Sequence, residues 1–278
     1  MPDVTRTELT AEEKARPFSK YFFKPLEPPK AERLAPMEMP IDPANALPIG
    51  KRSDLLNPGH LACEAGWCVM PDGTGFIANN LTMPGVTLDM INWWFAWHSL
   101  EPLRYKIWYP PCHYDIQISD RDRAKVLDPS RPAPLKFQGI THYVIENTGG
   151  PCAEKIAIEF KTPEEFGFDM SRYDAKTMAF AGGHGAAKML APPPGVPDFK
   201  AAAVMCHIVR EVPGGVEFRT RFWMGYRIIN REAARCIPET VRIPDFVVRG
   251  LATHNVHEYA NLASFLPQIY DEQKGIVA

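Results

Sequence analysis

Val247-Val248-Arg249-Gly250-Leu251-Ala252-Thr253-His254-Asn255-Val256-His257-Glu258-Tyr259-Ala260-Asn261-Leu262 is the stretch whose periodicity sets the architecture. Val247, Leu251, Leu262 and Phe265 recur at steps of three and four, the spacing of one inward helical face. Pro244 suits a first helical turn, so a long closing helix is predicted from near Pro244 to about Pro267. His254 and Glu258 lie within the same apolar stripe. Their i, i+4 spacing stacks an imidazole and a carboxylate one turn apart, where both can close on a single cation. An unpaired ionised carboxylate in a low-dielectric interior costs on the order of several kcal/mol. Glu258 therefore needs a cation, a hydrogen-bond network or a wet cavity. A core carboxylate held by Arg or Tyr beside a satisfied His would meet the same need without metal.

Upstream of that helix the texture is mostly that of strands. Trp67-Cys68-Val69-Met70, the turn Pro71-Asp72-Gly73-Thr74-Gly75 and Phe76-Ile77-Ala78-Asn79-Asn80 read as a hairpin. Thr87 is placed to cap a helix to about Leu100, with Leu88, Ile91, Trp94, Phe95 and His98 on its inner face. Strands are expected at 105–108, 113–118, 141–146, 155–160, 204–210 and 216–229, the last two joined through Val212-Pro213-Gly214-Gly215. Segments 127–137 and 185–199 read as loops. The order of hairpin, helix, antiparallel strands and long closing helix is α+β, with a curved antiparallel sheet gripping one helix and enclosing a cavity.

A chain of 278 residues holds one large domain with an appendage, or two small domains. Its formal charge of -2 and its pI near 6.5 offer no basic surface for nucleic acid or an anionic membrane. Small-molecule chemistry is the better expectation. The first 15 residues carry neither an apolar signal core nor an Arg-rich transit pattern, and no run reaches the ~18 apolar residues of a membrane span. The expected location is cytoplasmic. Cys63, Cys68, Cys112, Cys152, Cys206 and Cys236 show no Cys-x2-Cys spacing and are expected reduced and mostly buried. Ten of the 28 prolines fall before residue 61, which excludes a long helix or a central strand there. Phe18, Tyr21, Phe22, Phe23, Leu26 and Met37 make this arm too apolar for a disordered tail, so it should lie on its own domain or on a neighbouring subunit. Residues 1–60 are thus read as an N-terminal arm and 61–278 as the main domain.

Partners for the helical pair must come from facing strands. In Thr141-His142-Tyr143-Val144-Ile145-Glu146, alternation places His142 and Glu146 on one face. In His113-Tyr114-Asp115-Ile116-Gln117 it places His113 with Asp115 and Gln117. Two His and two carboxylates suit Zn²⁺, and also Fe²⁺ or Mn²⁺. Periodicity does not choose between His113 and His142. His257 points roughly 100° away from Glu258 and is given no metal role. Glu154 and Glu159 are expected in solvent, and His98 in packing near the cavity mouth. Gly182-Gly183-His184-Gly185 lacks the flanking strand and helix of a phosphate loop.

Asp89-Met90-Ile91-Asn92-Trp93-Trp94-Phe95-Ala96-Trp97-His98, Leu103-Arg104-Tyr105-Lys106-Ile107-Trp108, Thr141-His142-Tyr143-Val144-Ile145-Glu146 and Arg221-Phe222-Trp223-Met224-Gly225 appear in order, followed by the His254 and Glu258 pair. This ordered set, spanning roughly residues 60 to 265, resembles the 2,4-diacetylphloroglucinol hydrolase and phloretin hydrolase family. The resemblance implies a Bet v 1-like helix-grip catalytic domain and an N-terminal dimerisation region, hence a homodimer. It implies a zinc-dependent hydrolase cleaving the carbon-carbon bond between a polyphenol ring and an acyl group. Carried over residue by residue, the zinc ligands are His113, Glu146, His254 and Glu258, which leaves His142 as a pocket or core residue. A phenol-binding tyrosine falls on Tyr105 and a substrate-orienting histidine on His207. Two positions depart from the family pattern: a second tyrosine falls at Phe222, and a pocket asparagine has no counterpart at Asp115 or Ile116. Recognition of the ring and acyl group is therefore expected to differ. A non-catalytic helix-grip carrier of a phenolic ligand is the rival from another class, and an iron oxygenase is a second.

Overall fold

A computed structural model describes residues 8–195 and 201–276. The expected loop at 185–199 therefore extends in its last four residues outside the described ones, as do the outer ends of the two expected regions.

Proline punctuation keeps residues 8–60 to short turns: α1 (Ala11–Lys14), α2 (Lys20–Phe23), α3 (Ala31–Leu34) and several 3-10 segments, with no strand. The apolar side chains of this arm settle on the same chain. Phe18 packs edge-on to Trp97, Tyr21 lies against Phe265, and Met37 is buried. Main-chain carbonyls of the arm accept from buried side chains of the body. Met37 O takes the Trp67 indole, Leu47 O the Trp223 indole, and Leu55 O a guanidinium N–H of Arg219.

The body is an eight-stranded antiparallel sheet in the order β1-β2-β8-β7-β6-β5-β4-β3. Its strands are β1 (Gly66–Val69), β2 (Gly75–Pro84), β3 (His113–Gln117), β4 (Thr141–Glu146), β5 (Glu154–Phe160), β6 (Met178–Met189), β7 (Ala201–Val212) and β8 (Gly215–Met224). A separate ribbon pairs β9 (Tyr226–Ile229) with β10 (Glu232–Arg235). Between β2 and β3 the chain forms α4 (Leu88–Trp97), capped by Thr87, and α5 (Pro102–Lys106). After β3 comes α6 (Asp120–Leu127), capped by Ser119. The chain closes with α7 (Asp245–Gln273). This is a helix-grip arrangement. The inner sheet face receives α4 and α7, and the outer face is covered by arm residues such as Ile49, Leu55 and Leu56 with Phe166 and Phe168.

Alternation along β8 divides its residues between these faces. Phe218, Thr220, Phe222 and Met224 turn inward, while Glu217, Arg219, Arg221 and Trp223 turn outward. Two buried guanidinium groups on the outer face require counter-charge. Glu64 supplies it, with one carboxylate oxygen 2.5 Å from Arg219 and the other 2.8 Å from Arg221.

Four local expectations are corrected. Residues 105–108 are not a strand, because Pro102 occupies a first helical turn and Tyr105 lies on α5. The run from 216 to 229 is broken by Gly225 at φ 92, which separates β8 from β9. Residues 185–189 are strand, since β6 is paired on both sides and that pairing outweighs its poor intrinsic propensity. Gly183 permits this pairing, for a Cβ there would lie 1.9 Å from the Glu159 carbonyl oxygen. Finally, α7 continues beyond Pro267, where Ile269 is fully buried and Tyr270 packs edge-on to Trp93. A helical proline costs about 3 kcal/mol, a sum this burial offsets.

Candidate metal centre

His113 and Glu146 are direct cross-strand partners on β3 and β4. A register shift lies between His113 and Asp115, so Asp115 pairs with Ile145 on the opposite face and Ile116 takes the inward place. The expectation that Asp115 shares the face of His113 fails for this reason: a bulge breaks simple alternation. Opposite these strands, α7 presents His254 and Glu258 from one face. Ligating atoms of His113, His254 and Glu258 all lie within 4.8 Å of one another. Glu146 Oε2 lies 3.3 Å from His113 Nε2 and 3.6 Å from His254 Nε2. Glu258 Oε2 lies 3.6 Å from His113 Nε2 and 3.9 Å from His254 Nε2.

The surroundings orient these groups. His113 Nδ1–H donates to the Tyr105 carbonyl at 3.3 Å, an acceptor-only partner that leaves Nε2 with its lone pair toward the centre. Its ring also stacks on the Tyr105 ring at 4.1 Å and 1°. The Tyr105 hydroxyl donates to Glu146 Oε2 at 2.7 Å. The Trp108 indole donates to the Glu258 carbonyl, and the Asn261 side chain returns a bond to the Trp108 carbonyl, tying α7 to the turn after α5.

The two carboxylates are driven apart in acidity. Burial and then the nearby Glu146 push Glu258 well above the carboxylate range, against a hydrogen bond from Asn255. Burial would also raise Glu146, but His113, His254 and the Tyr105 hydroxyl together hold it low. Two close, buried carboxylates cannot both ionise cheaply. Burial brings His254 down to about 4, so it is neutral near pH 7. Among the described residues, no Lys or Arg pairs with Glu146 or Glu258. Two imidazoles and two carboxyl groups without a basic partner are a donor set that fits a borderline divalent cation.

Glu146, His254 and Glu258 line a cavity of about 140 Å³ between sheet and α7. Phe95, Trp108, Phe160 and Phe222 supply aromatic wall. His207 stands on β7 across from the carboxyl cluster, its Nδ1 2.8 Å from Thr220 Oγ1 and its Nε2 3.1 Å from the Tyr259 hydroxyl. Burial takes it down to about 3, so it is a neutral base. Phe222 meets His207 edge-on. The hydroxyls beside His207 thus come from Thr220 on β8 and Tyr259 on α7.

His142 is buried and lines the cavity but stands outside the metal group, packed between His98 and Phe160. His98 also reaches the cavity wall, with Nδ1 2.7 Å from the Trp94 carbonyl and its acidity set by burial at about 3. His257 lies outside the group and stacks on Tyr109. Glu159 is exposed, as expected. Glu154 is not: it is half-buried on the cavity wall, accepts from Thr148, and is raised in pKa first by burial. The strand placement was foreseen, but the loop that folds over its first residue was not. All six cysteines are free; Cys63, Cys68 and Cys206 are buried, whereas Cys236 is exposed. Tyr259, Asn255 and Thr220 are the polar residues missed by sequence reasoning. Asn255 did carry a signal, since it precedes Glu258 by three positions on the same helical face.

Comparison with known proteins bears on this geometry. The family described as DAPG hydrolase PhiG domain matches residues 47–271. Phloretin hydrolase of Eubacterium ramulus is 37% identical over 267 residues, covering 95% of this chain and 92% of that protein. A 2,4-diacetylphloroglucinol hydrolase of Pseudomonas sp is 27% identical over 268 residues, covering 92% and 88% respectively. Its counterpart from Pseudomonas protegens is 26% identical, covering 92% of this chain and 84% of that protein.

Proposed function

The chain belongs to the DAPG hydrolase family, and from that premise we propose that it hydrolyses the carbon-carbon bond between a phloroglucinol-type ring and an acyl group. The products are the free polyphenol and a carboxylic acid. The observation that carries this reading is the convergence of His113, Glu146, His254 and Glu258, the last three lining an aromatic cavity that also holds Tyr105 and His207. These four residues would hold Zn²⁺. Bound there, the ion supplies Lewis acidity for water and for an acyl carbonyl.

The remaining chemistry falls to the chain itself. An ordinary benzene ring is a poor carbanion leaving group, whereas a phloroglucinol-type ring can take a keto form protonated at its acylated carbon. Hydroxide oxygen adds to the acyl carbon, and the breaking bond's electron pair passes into the ring as an enolate. Tyr105, kept protonated by burial and by Glu146, spends its one proton on that carboxylate and accepts a hydrogen bond from a ring hydroxyl. His207, neutral and tethered by Thr220 and Tyr259, orients the ring and takes or returns a proton. Phe95, Trp108 and Phe160 exclude bulk water and stack on the ring. With Phe222 in place of a second strand tyrosine, Tyr259 supplies the phenolic hydroxyl next to His207. Residues 1–60 belong to the same proposal as a dimerisation region, with Phe23, Leu26 and Met39 left exposed on it.

Metal analysis of purified protein, followed by incubation with monoacetylphloroglucinol, diacetylphloroglucinol and phloretin under nitrogen, tests the reading. One zinc per chain and release of acid from at least one substrate are expected. Protein without metal, or acid release that requires O₂ and Fe²⁺, overturns it.

A further inference from the structure

The carboxylate of Glu258 is buried and offers one oxygen to the histidines, so something must hold the other. Asn255 does so: its Nδ2 donates to Glu258 Oε1 at 3.1 Å, leaving Oε2 as the oxygen that faces His113 and His254. Asn255 is itself held by a second asparagine on the sheet, Asn79 of β2, whose Nδ2 donates to Asn255 Oδ1 at 2.9 Å. The same Asn79 nitrogen donates to the Ala252 carbonyl at 3.2 Å.

We propose that Asn79 and Asn255 are positioning residues that fix the Glu258 carboxylate for metal binding. The polarity of this chain of amides is set by a backbone group that has only one role. Ala252 O can only accept, so Asn79 must turn its NH₂ toward α7. That NH₂ then faces Asn255, which must answer with Oδ1. The Asn255 NH₂ is thereby forced toward Glu258. Flipping either amide brings oxygen against oxygen or NH₂ against NH₂ at a site where both asparagines are at least 96% shielded, Asn79 being 4% and Asn255 1% exposed. Asn79 Oδ1 has no partner among the described residues, a cost consistent with an orientation dictated from the α7 side.

One helical turn therefore carries both a proposed ligand and the group that aims it. Asn255 and Glu258 move together with α7, whereas Asn79 anchors them to β2. The pairing also crosses from helix to sheet, so the carboxylate's position depends on how α7 seats in the grip. Neither asparagine reaches the reacting atoms; each acts through Glu258.

This inference rests on the metal reading above, and the test separates the two. Zn²⁺ and Co²⁺ affinities are measured by competition with a chromophoric chelator for wild type, Asn255→Leu, Asn79→Leu and the double variant. The thermal midpoint of each metal-free protein monitors folding. Asn255→Leu should bind either ion about 10–100-fold more weakly and alter the visible Co²⁺ absorption band. Asn79→Leu touches no proposed ligand, yet should weaken binding several-fold and add little on the Asn255→Leu background. Such coupling is what separates positioning from general loss of stability. Wild-type protein that binds neither ion overturns both readings. Wild-type protein that binds while Asn79→Leu and Asn255→Leu bind equally well overturns the positioning role alone, as do losses that are fully additive. If Asn255→Leu fails to fold, Asn79→Leu alone decides, since unchanged affinity there removes the relay.

Discussion

The residues around His254 and Glu258 divide into proposed ligands and residues that set their partners' state, and single substitutions distinguish the two. His254→Ala and Glu258→Ala should each lose stoichiometric zinc and fall below ~1% of wild-type activity, given that outer partners alone are worth about 10–100-fold. Tyr105→Phe keeps the ring that stacks on His113 but removes the hydroxyl that meets Glu146. It should retain zinc while kcat drops by about 100-fold. Buried histidines also write a pH signature into the metal-free protein. His98 and His207 are both taken by burial from the ordinary 6.5 to about 3. Between those values the unfolded chain binds more protons than the folded one, so stability falls as pH falls from 6.5 toward 3. Each such group contributes about 1.4 kcal/mol per pH unit within that window. Urea unfolding midpoints measured from pH 7 to pH 4 should decline accordingly; a flat profile would contradict neutral burial of both rings.

At the level of elements, the grip depends on close approach between α7 and the turn linking β4 to β5. A Cβ on Gly250 would lie 2.9 Å from the Gly149 carbonyl oxygen, and one on Gly149 would lie 2.7 Å from Gly250 Cα. Gly250→Ala adds about 1 kcal/mol of helix propensity, but the backbone clash should outweigh it and destabilise by about 1–3 kcal/mol. Urea midpoints of the two proteins measure the net sign. The turn leads directly from Glu146, so the same variant should also weaken zinc binding. The α7 stripe, the Thr87 cap and the first hairpin were legible in sequence because period, cap and turn residues agreed. Residues 105–108 and 185–189 were not, because tertiary pairing and a helix-starting proline overrode local preference. Alternation gave Glu146 its correct face but misplaced Asp115, since a bulge leaves no mark in residue spacing. His207 was found through resemblance alone; its link to Tyr259 needed the strand-helix contact.

For the whole molecule, the N-terminal arm is part of the covering of the sheet. Removing residues 1–60 would take Leu55 and Leu56 out of the outer core cluster and leave Trp67, Trp223 and Arg219 without their main-chain carbonyl acceptors. The truncated chain should lose cooperative thermal unfolding by circular dichroism, a stronger effect than mere loss of a dimer. Light scattering of the intact chain checks the proposed homodimer, and a monomeric mass would refute it. None of the helices among the described residues is long and apolar enough to cross a membrane. The converging His and Glu residues come from β3, β4 and α7, whereas the inward residues of β8 are Phe218, Thr220, Phe222 and Met224. That strand is pinned from behind by Arg219 and Arg221 on Glu64. Its backbone is thus buttressed independently of what its inner side chains are. The inner side chain of Met224 is therefore a place where the cavity wall can be recut while the strand, and the His and Glu cluster, keep their places.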